Sequence, residues 1–539
     1  MNRASSVAAL ALFVSSGAFA ADAPVSEGDR WWKHVEVLSS DALEGRDTGS
    51  KGYEIATGYV SKELAALGVK PVLKTGFLQP MALKSHRLNE AKSSIALVRD
   101  GQTLPLVQGE DVVLSARQGD SGTVDAPLVF VGYGLSIPEK GHDDLAGLDL
   151  KGKVVVILQG GPGNIPGPLK SHFSSWTERV KVLKRAGAVG YVYLQNPKML
   201  ELPWERVVGA NRNPTVLFAE PALNDSRGLK VATVVNVAHA QKFFEGAPHT
   251  YEELVALANA DKPLPKFDLP ARLKAKLAID AKPLKSMNVV GVMPGSDPAL
   301  AKEYVVLSAH LDHVGIGDPV NGDRLYNGAM DNASGVAALL EVARALREQP
   351  RKPKRSVLFA LVTGEEKGLL GSKFFASRPP VPASSLVADI NLDMFMPLWP
   401  FTSVIAHGKD ESTLSVALTQ VAAQQGVQVL PDPEPERNAF VRSDQYSFIR
   451  EGVPALSFKF GYTPGSPEQK VMKQWLHERY HAPSDDVSQP VDREGAARFI
   501  TFLTGMTLAV ADAPERPRWN DDSFFRRFAK PAPTPAAKP

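Results

Sequence analysis

Five short segments of this 539-residue chain carry side chains able to do chemistry. They are His310-Leu311-Asp312-His313, Asp331-Asn332, Glu365-Glu366, Asp393, and Tyr480-His481-Ala482-Pro483-Ser484-Asp485-Asp486. Singly, each has an ordinary structural use. Asp331 or Asn332 can cap a following helix, the glutamates can form a solvated loop pair, and a histidine after a strand can simply hydrogen-bond. Jointly that explanation fails, because several carboxylates gathered at one edge are costly to bury unless cations neutralise them. Two divalent ions held by His310, Asp331, Glu366, Asp393 and His481 satisfy the charge. Three carboxylates against four positive charges leave about one in excess, which lowers the pKa of a bridging water toward ~7. Mixed imidazole and carboxylate ligation suits zinc, with cobalt or manganese as substitutes. Asp312, two residues past His310, can reach back to that imidazole and fix its tautomer. One of the adjacent glutamates can bind metal while the other accepts a proton; the residues alone leave that choice open.

These side chains act together only if the fold brings them to one edge. Short buried-strand runs are expected at 289–292, 304–309, 357–362, 387–392 and 455–458, and helical spacing at 333–347, 368–376, 414–425 and 493–510. The alternation predicts an α/β fold with a mixed, mostly parallel central sheet and helices on both faces. In open sheets of that kind, sites form beyond the carboxyl ends of the strands, which is where the His, Asp and Glu residues fall. Upstream, the apolar spacing from Trp31 to Leu67 is helical throughout, and 85–116 alternates as short strands. A separate α+β block of strand runs, glycine turns and a helix at 174–186 closes in the linker Lys262-Pro263-Leu264-Pro265. A half-buried strand follows over 271–279. The tail beyond Ala513, rich in proline and alanine, is expected to be disordered.

Composition removes whole classes of function. There are no cysteines, which excludes thiol nucleophiles, Cys-ligated zinc and disulfide scaffolds. A net charge of +2 offers no basic surface for nucleic acid and no basic amphipathic stretch for a membrane. The first twenty residues read as a secretory signal: Met1-Asn2-Arg3, an apolar run over 8–14, then Ala18-Phe19-Ala20. The run is too short to span a bilayer. An exported protein, periplasmic or secreted and without stable membrane insertion, is expected.

Taken together, the segments Ser308-Ala309-His310-Leu311-Asp312-His313, Gly328-Ala329-Met330-Asp331-Asn332-Ala333-Ser334-Gly335, Gly364-Glu365-Glu366-Lys367-Gly368-Leu369-Leu370-Gly371-Ser372, Asn391-Leu392-Asp393 and Tyr480 to Asp486 resemble the M28 family of co-catalytic zinc peptidases. The resemblance covers roughly 286–510 and extends to Gly45-Arg46-Asp47-Thr48-Gly49-Ser50. It implies a zinc-exopeptidase-like fold and two Zn2+ per chain. One ion would take His310, Asp331 and Asp393, the other Asp331, Glu366 and His481. Glu365 would be the general base, Asp312 is counted with it as catalytic through its hold on His310, and Tyr446, Tyr462 and Tyr480 are the candidates to assist. Arg442-Ser443-Asp444 is similar to a substrate-pocket loop, with Gln445 where a histidine is expected. The block over 122–261 is similar to an inserted protease-associated domain. The implied layout is a signal peptide over 1–20, peptidase residues 21–121 and 262–513 flanking that insert, and a tail over 514–539. The implied function is an aminopeptidase acting on peptides with free N-termini. The alternatives are a same-fold carboxypeptidase or glutaminyl cyclase, and a receptor-like relative that has lost its metals. A competing motif, His477-Glu478-Arg479-Tyr480-His481, satisfies H-E-x-x-H but needs a continuous helix, which Pro483 disfavours so close to the second histidine.

Overall fold

The computed structural model describes residues 25–118, 120–437 and 439–530. The proposed signal segment and the last nine residues lie outside this range. Nine strands in one path build the larger sheet, and a short tenth, Lys70–Pro71, pairs with the end of Ile279–Met293. In chain order they are β1 (Leu78–Leu88), β2 (Thr215–Phe218), β3 (Ile279–Met293), β4 (Tyr304–His310), β5 (Ser356–Val362), β6 (Leu386–Asn391), β7 (Ser403–His407), β8 (Gln428–Leu430) and β9 (Ala455–Phe460). Their spatial order is β2-β1-β3-β5-β4-β6-β9-β7-β8. The centre, β5-β4-β6-β9, is parallel, while β1, β2, β3 and β7 join antiparallel. Central strands such as Val357-Leu358-Phe359-Ala360-Leu361-Val362 are apolar along their whole length because helices cover both faces.

Helices α1 (Glu27–Leu38), α2 (Lys51–Ala66), α3 (Trp204–Arg212), α4 (Ser334–Glu348), α5 (Leu414–Gln425), α6 (Pro467–Glu478) and α7 (Arg493–Asp512) are those the site depends on. α4 buries Val336, Leu339, Leu340 and Val342 against the sheet, and the Trp31 indole of α1 donates to the Ser334 carbonyl at 3.0 Å. The helical spacing from Trp31 to Leu67 does not form one helix. The chain breaks over Ser39–Ser50, where Glu44, Gly45 and Arg46 take φ of 48°, 65° and 51°. A Cβ on Gly45 would stand 2.2 Å from the Tyr326 carbonyl oxygen, so this turn passes too close to the chain for any side chain. Ser50 then caps α2 by accepting the Tyr53 N–H at 3.1 Å.

A second, eight-stranded sheet has its own core, centred on Phe130, Val156, Val192 and Leu273. The 122–261 segment supplies its central strands, and Ser94–Arg99, Gln102–Pro105, Val112–Leu114 and Phe267–Leu277 complete it from outside. One strand from within the segment, β2, leaves this sheet to pair with β1 of the larger one. The expectation of a disordered tail fails over 514–530. Trp519 and Phe525 are buried, and Phe524 and Phe528 pack on His172 at ring separations of 5.0 and 5.7 Å. Aromatic burial there outweighs the proline-rich composition. Among the described residues no helix is long and apolar enough to cross a membrane.

Candidate metal centre

Register places the site. His310 pairs with Val362 at the ends of β4 and β5, and the Leu392 N–H donates to the Ser308 carbonyl at 2.8 Å. The chain therefore leaves three parallel strands at one level, carrying His310, the Glu365-Glu366 turn and Asp393. The Asp331 loop enters from the front of α4, and His481 from the loop after α6.

The five expected ligands converge. His310 Nε2 stands 3.3 Å from Asp331 Oδ1 and 3.5 Å from Asp393 Oδ1. His481 Nε2 stands 3.2 Å from Asp331 Oδ2 and 3.1 Å from Glu366 Oε2. The two oxygens of Asp331 thus face two different imidazoles, the arrangement of a bridging carboxylate. Ligands about 2.0–2.2 Å from a tetrahedral ion are separated by about 3.3–3.6 Å, which the His310 distances of 3.3 and 3.5 Å match and the His481 distances of 3.2 and 3.1 Å approach. His310 Nε2 and Asp393 Oδ1 are buried without a hydrogen-bond partner, which suits atoms reserved for a cation. His310, Asp331 and Asp393 form one candidate metal-binding group. The second is His313, Asp331 and Glu366, with His481 close to the same two carboxylates.

The structure also separates the two glutamates. Glu366 is held from both sides, by the His313 Nδ1–H at 2.8 Å through Oε1 and by His481 through Oε2. The Glu365 backbone N–H donates to Asp312 Oδ1 at 3.2 Å, and its side chain lines the cavity in front of the site. Burial first, then Asp393 and Glu366, push the Glu365 carboxyl well above the usual carboxylate range, against the pull of His310. For Asp331, burial and Glu366 act upward, but the His310 and His481 imidazoles prevail and its carboxyl lies below the usual range. Two acids in one site are driven in opposite directions, the usual mark of divided roles.

One expectation needs correction. The Asp312 carboxylate does not hold the His310 ring: the Nδ1–H donates to the Asp312 backbone carbonyl at 3.0 Å, and Oδ1 lies 4.0 Å away. The carbonyl fixes the tautomer and leaves Nε2 for metal. The Asp312 side chain instead accepts from Thr48 Oγ1 at 3.0 Å and from the Glu365 N–H, and burial pushes it up to about 6.

Several supporting residues have no role assigned by the sequence, although Asp485 and Arg46 fall within the segments that carry the family resemblance. Asp485 accepts from the Met330 and Asp331 N–H groups at 2.9 and 3.0 Å, fixing the loop that presents Asp331. Arg46, fully buried, donates to the carbonyls of Leu38, Leu311, Asn327 and Gly328. Burial draws its guanidinium down to about 10 while Asp485, Asp312, Asp331 and Glu366 hold it up, making it a counter-cation for the cluster. Replacing Arg46 with methionine strands buried carbonyls and removes that charge, so we expect a loss of about 3–5 kcal/mol of folding stability, measured by urea unfolding. Arg206 of α3 donates to the carbonyls of Tyr480, at 2.7 Å, and His477, tying the 122–261 segment to the His481 loop.

Among the three tyrosines, the Tyr446 hydroxyl is bonded to His172 and that of Tyr462 to Glu434, whereas the Tyr480 ring lies 4.0 Å from the His481 ring. Gln445 is fully buried and structural, accepting from Asn391 at 2.8 Å and donating to the Phe440 carbonyl at 3.0 Å. Arg442 and Ser443 do line the cavity. The H-E-x-x-H reading fails, since α6 ends at Glu478 and His481 sits beyond it with φ of 51°. Two spaces flank the site. A pocket of about 130 Å³ adjoins Asp331, Glu365 and Asp393, and a cleft of about 1430 Å³ runs from Glu365, Glu366 and His481 to Tyr193, Asn196 and Glu201 beside the second sheet.

An α/β sheet with paired imidazole–carboxylate groups at its carboxyl edge presents a candidate metal centre. Residues 288–505 match the family description "Peptidase family M28". Through that segment the chain is similar to the peptidases of that family. It is 36% identical over 112 residues to a probable zinc metalloprotease of Pyrenophora teres f. teres, covering 21% of this chain and 23% of that protein. It is 29% identical over 168 residues to leupeptin-inactivating enzyme 1 of Streptomyces exfoliatus, covering 31% and 34%. The chain thus spans about a third or less of the length of these relatives. The structure of an aminopeptidase from Aneurinibacillus sp. strain AM-1 superposes with a TM-score of 0.53 at 20% identity, over 91% of this chain and 95% of that one. That likeness shows the shared fold.

Proposed function

We propose that the chain is a zinc-dependent aminopeptidase that holds two ions and removes residues from the free N-termini of peptides. The observation that carries this reading is the Asp331 carboxylate, one oxygen toward His310 and the other toward His481. His310, Asp331 and Asp393 would hold one ion; Asp331, Glu366 and His481 the other, with His313 orienting Glu366. Bound zinc would supply a water activated near neutral pH and polarise the scissile carbonyl. Glu365, aimed into the cavity and bound to neither group, takes the water's proton and returns it to the leaving amine. Tyr480, against His481, is the hydroxyl placed to steady the developing oxyanion. The small pocket has room for a single side chain and adjoins the long cleft along Glu365, Arg442, Tyr480 and His481, which favours an exopeptidase. We assign the larger sheet to the peptidase domain, and the second sheet, built on 122–261 and completed by strands over 94–114 and 267–277, to a protease-associated unit that shapes access, in place of an insert bounded at 122 and 261. We place the enzyme outside the cytoplasm, periplasmic or secreted.

Elemental analysis of the purified protein should find two zinc ions per chain. Chelation should abolish turnover of aminoacyl anilides, and added zinc should restore it. Protein without stoichiometric metal, or with activity indifferent to chelation, would overturn the proposal. Blocked peptides and N-terminal glutaminyl peptides in the same panel separate carboxypeptidase and cyclase action.

A further inference from the structure

The small pocket beside the metal groups contains an ammonium that, among the described residues, has no carboxylate within ion-pairing distance. β9 alternates: Phe458 and Phe460 are fully buried in the core, while Ser457 and Lys459 line the pocket with Met394, Ile405 and Met472. Lys459 Nζ donates to the Asp393 backbone carbonyl at 2.6 Å. Among the described residues it makes no ion pair, unlike the other cations lining this pocket. Arg437 and Arg442 are matched by Glu201 at 3.2 and 2.7 Å, and His407 faces Asp432 at 3.4 Å. An ammonium has three donors. One carbonyl leaves two of them toward the pocket, where Asp393 acts on the ammonium only from beyond ion-pairing distance.

We propose that Lys459 receives a carboxylate of the substrate. This rests on the aminopeptidase reading above and narrows it to peptides beginning with an acidic residue, whose side chain enters the pocket. The volume of about 130 Å³ corresponds to about four waters of liquid, the size of one short acidic side chain. The pocket opens directly on Asp331, Glu365 and Asp393, so a residue seated there presents its scissile bond to them. A free C-terminal carboxylate offers the same chemistry, and the test separates the two sources.

The experiment compares kcat/KM for Glu-, Gln- and Leu-p-nitroanilide in the zinc-loaded protein and in Lys459→Met and Lys459→Arg, with calorimetric binding of free L-glutamate and L-glutamine and metal content for each. The expected result is a preference for Glu over Gln of about tenfold or more, lost in Lys459→Met and partly kept in Lys459→Arg, with glutamate binding following the same order. An N-acetylated dipeptide with a free C-terminal carboxylate forms the second arm. Lys459-dependent cleavage of it would keep the carboxylate site but assign it to the chain end and sink the aminopeptidase reading. Equal handling of Glu and Gln by the unaltered protein overturns the proposal while leaving that reading intact. So does a Glu/Gln ratio unchanged in a Lys459→Met protein that retains its metal. If no anilide is cleaved, the aminopeptidase reading fails and calorimetry decides: glutamate binding abolished by Lys459→Met sustains the site, and equal binding of both amino acids overturns it.

Discussion

Glu365→Gln should retain both zinc ions and lose about 10²–10⁴-fold in turnover. Glutamine keeps the shape of the side chain and leaves untouched the backbone N–H that Asp312 accepts at 3.2 Å. It cannot take a proton from water or deliver one to a leaving amine. Metal retention is expected because Glu365 belongs to neither ligand group, whereas Glu366 is fastened between His313 and His481. Removing a carboxylate that Asp393 and Glu366 both repel also relieves the cluster. Elemental analysis beside single-turnover kinetics makes the test, and a Glu365→Gln protein lacking metal would show that the roles of the two glutamates are reversed.

The second large effect separates two histidines four residues apart. His481→Ala should lose one of the two ions and at least about 100-fold in activity, since even partners outside the ligand set cost 10–100-fold. His477→Ala should stay close to the unaltered protein. The His481 imidazole lies within 3.2 Å of two carboxylates, while His477 is exposed in the last turn of α6, its backbone carbonyl taken by Arg206. Equal loss of metal in the two variants would restore the H-E-x-x-H arrangement that the end of α6 at Glu478 argues against.

Much of this site is legible in the residues themselves. Strand runs of β-branched and apolar residues end at His310, ahead of Glu365 and at Asp393, and the rule that α/β sites form beyond strand ends brings these side chains together from sequence order alone. The 414–425 helix occurs as expected, because its apolar spacing and the following Gly426 are local signals. Signals of that kind fail where a distant neighbour intervenes. The continuous helical spacing of 31–67 is broken by a turn whose shape is set by Tyr326 and Gly315, and composition does not reveal that Phe524 and Phe525 find aromatic partners in His172 and Trp519.

Side-chain roles within the cluster are the least legible. Spacing suggests that Asp312 reaches His310 with its carboxylate, yet a backbone carbonyl does so, and the carboxylate serves Thr48 and Glu365 instead. Nothing near Arg46 in the chain announces that its guanidinium will bond the Leu311 carbonyl 265 residues away, or that Arg206 will hold the carbonyl before His481.

Residue order dictates which side chains are available and, through local periodicity, that strands deliver most of them to one edge. Packing in three dimensions decides which glutamate sits between two histidines, which oxygen of Asp331 faces which ring, and which lysine meets the pocket with a carbonyl as its direct partner. Those choices depend on distances between segments far apart in the chain, set by burial and close contact that no local pattern encodes.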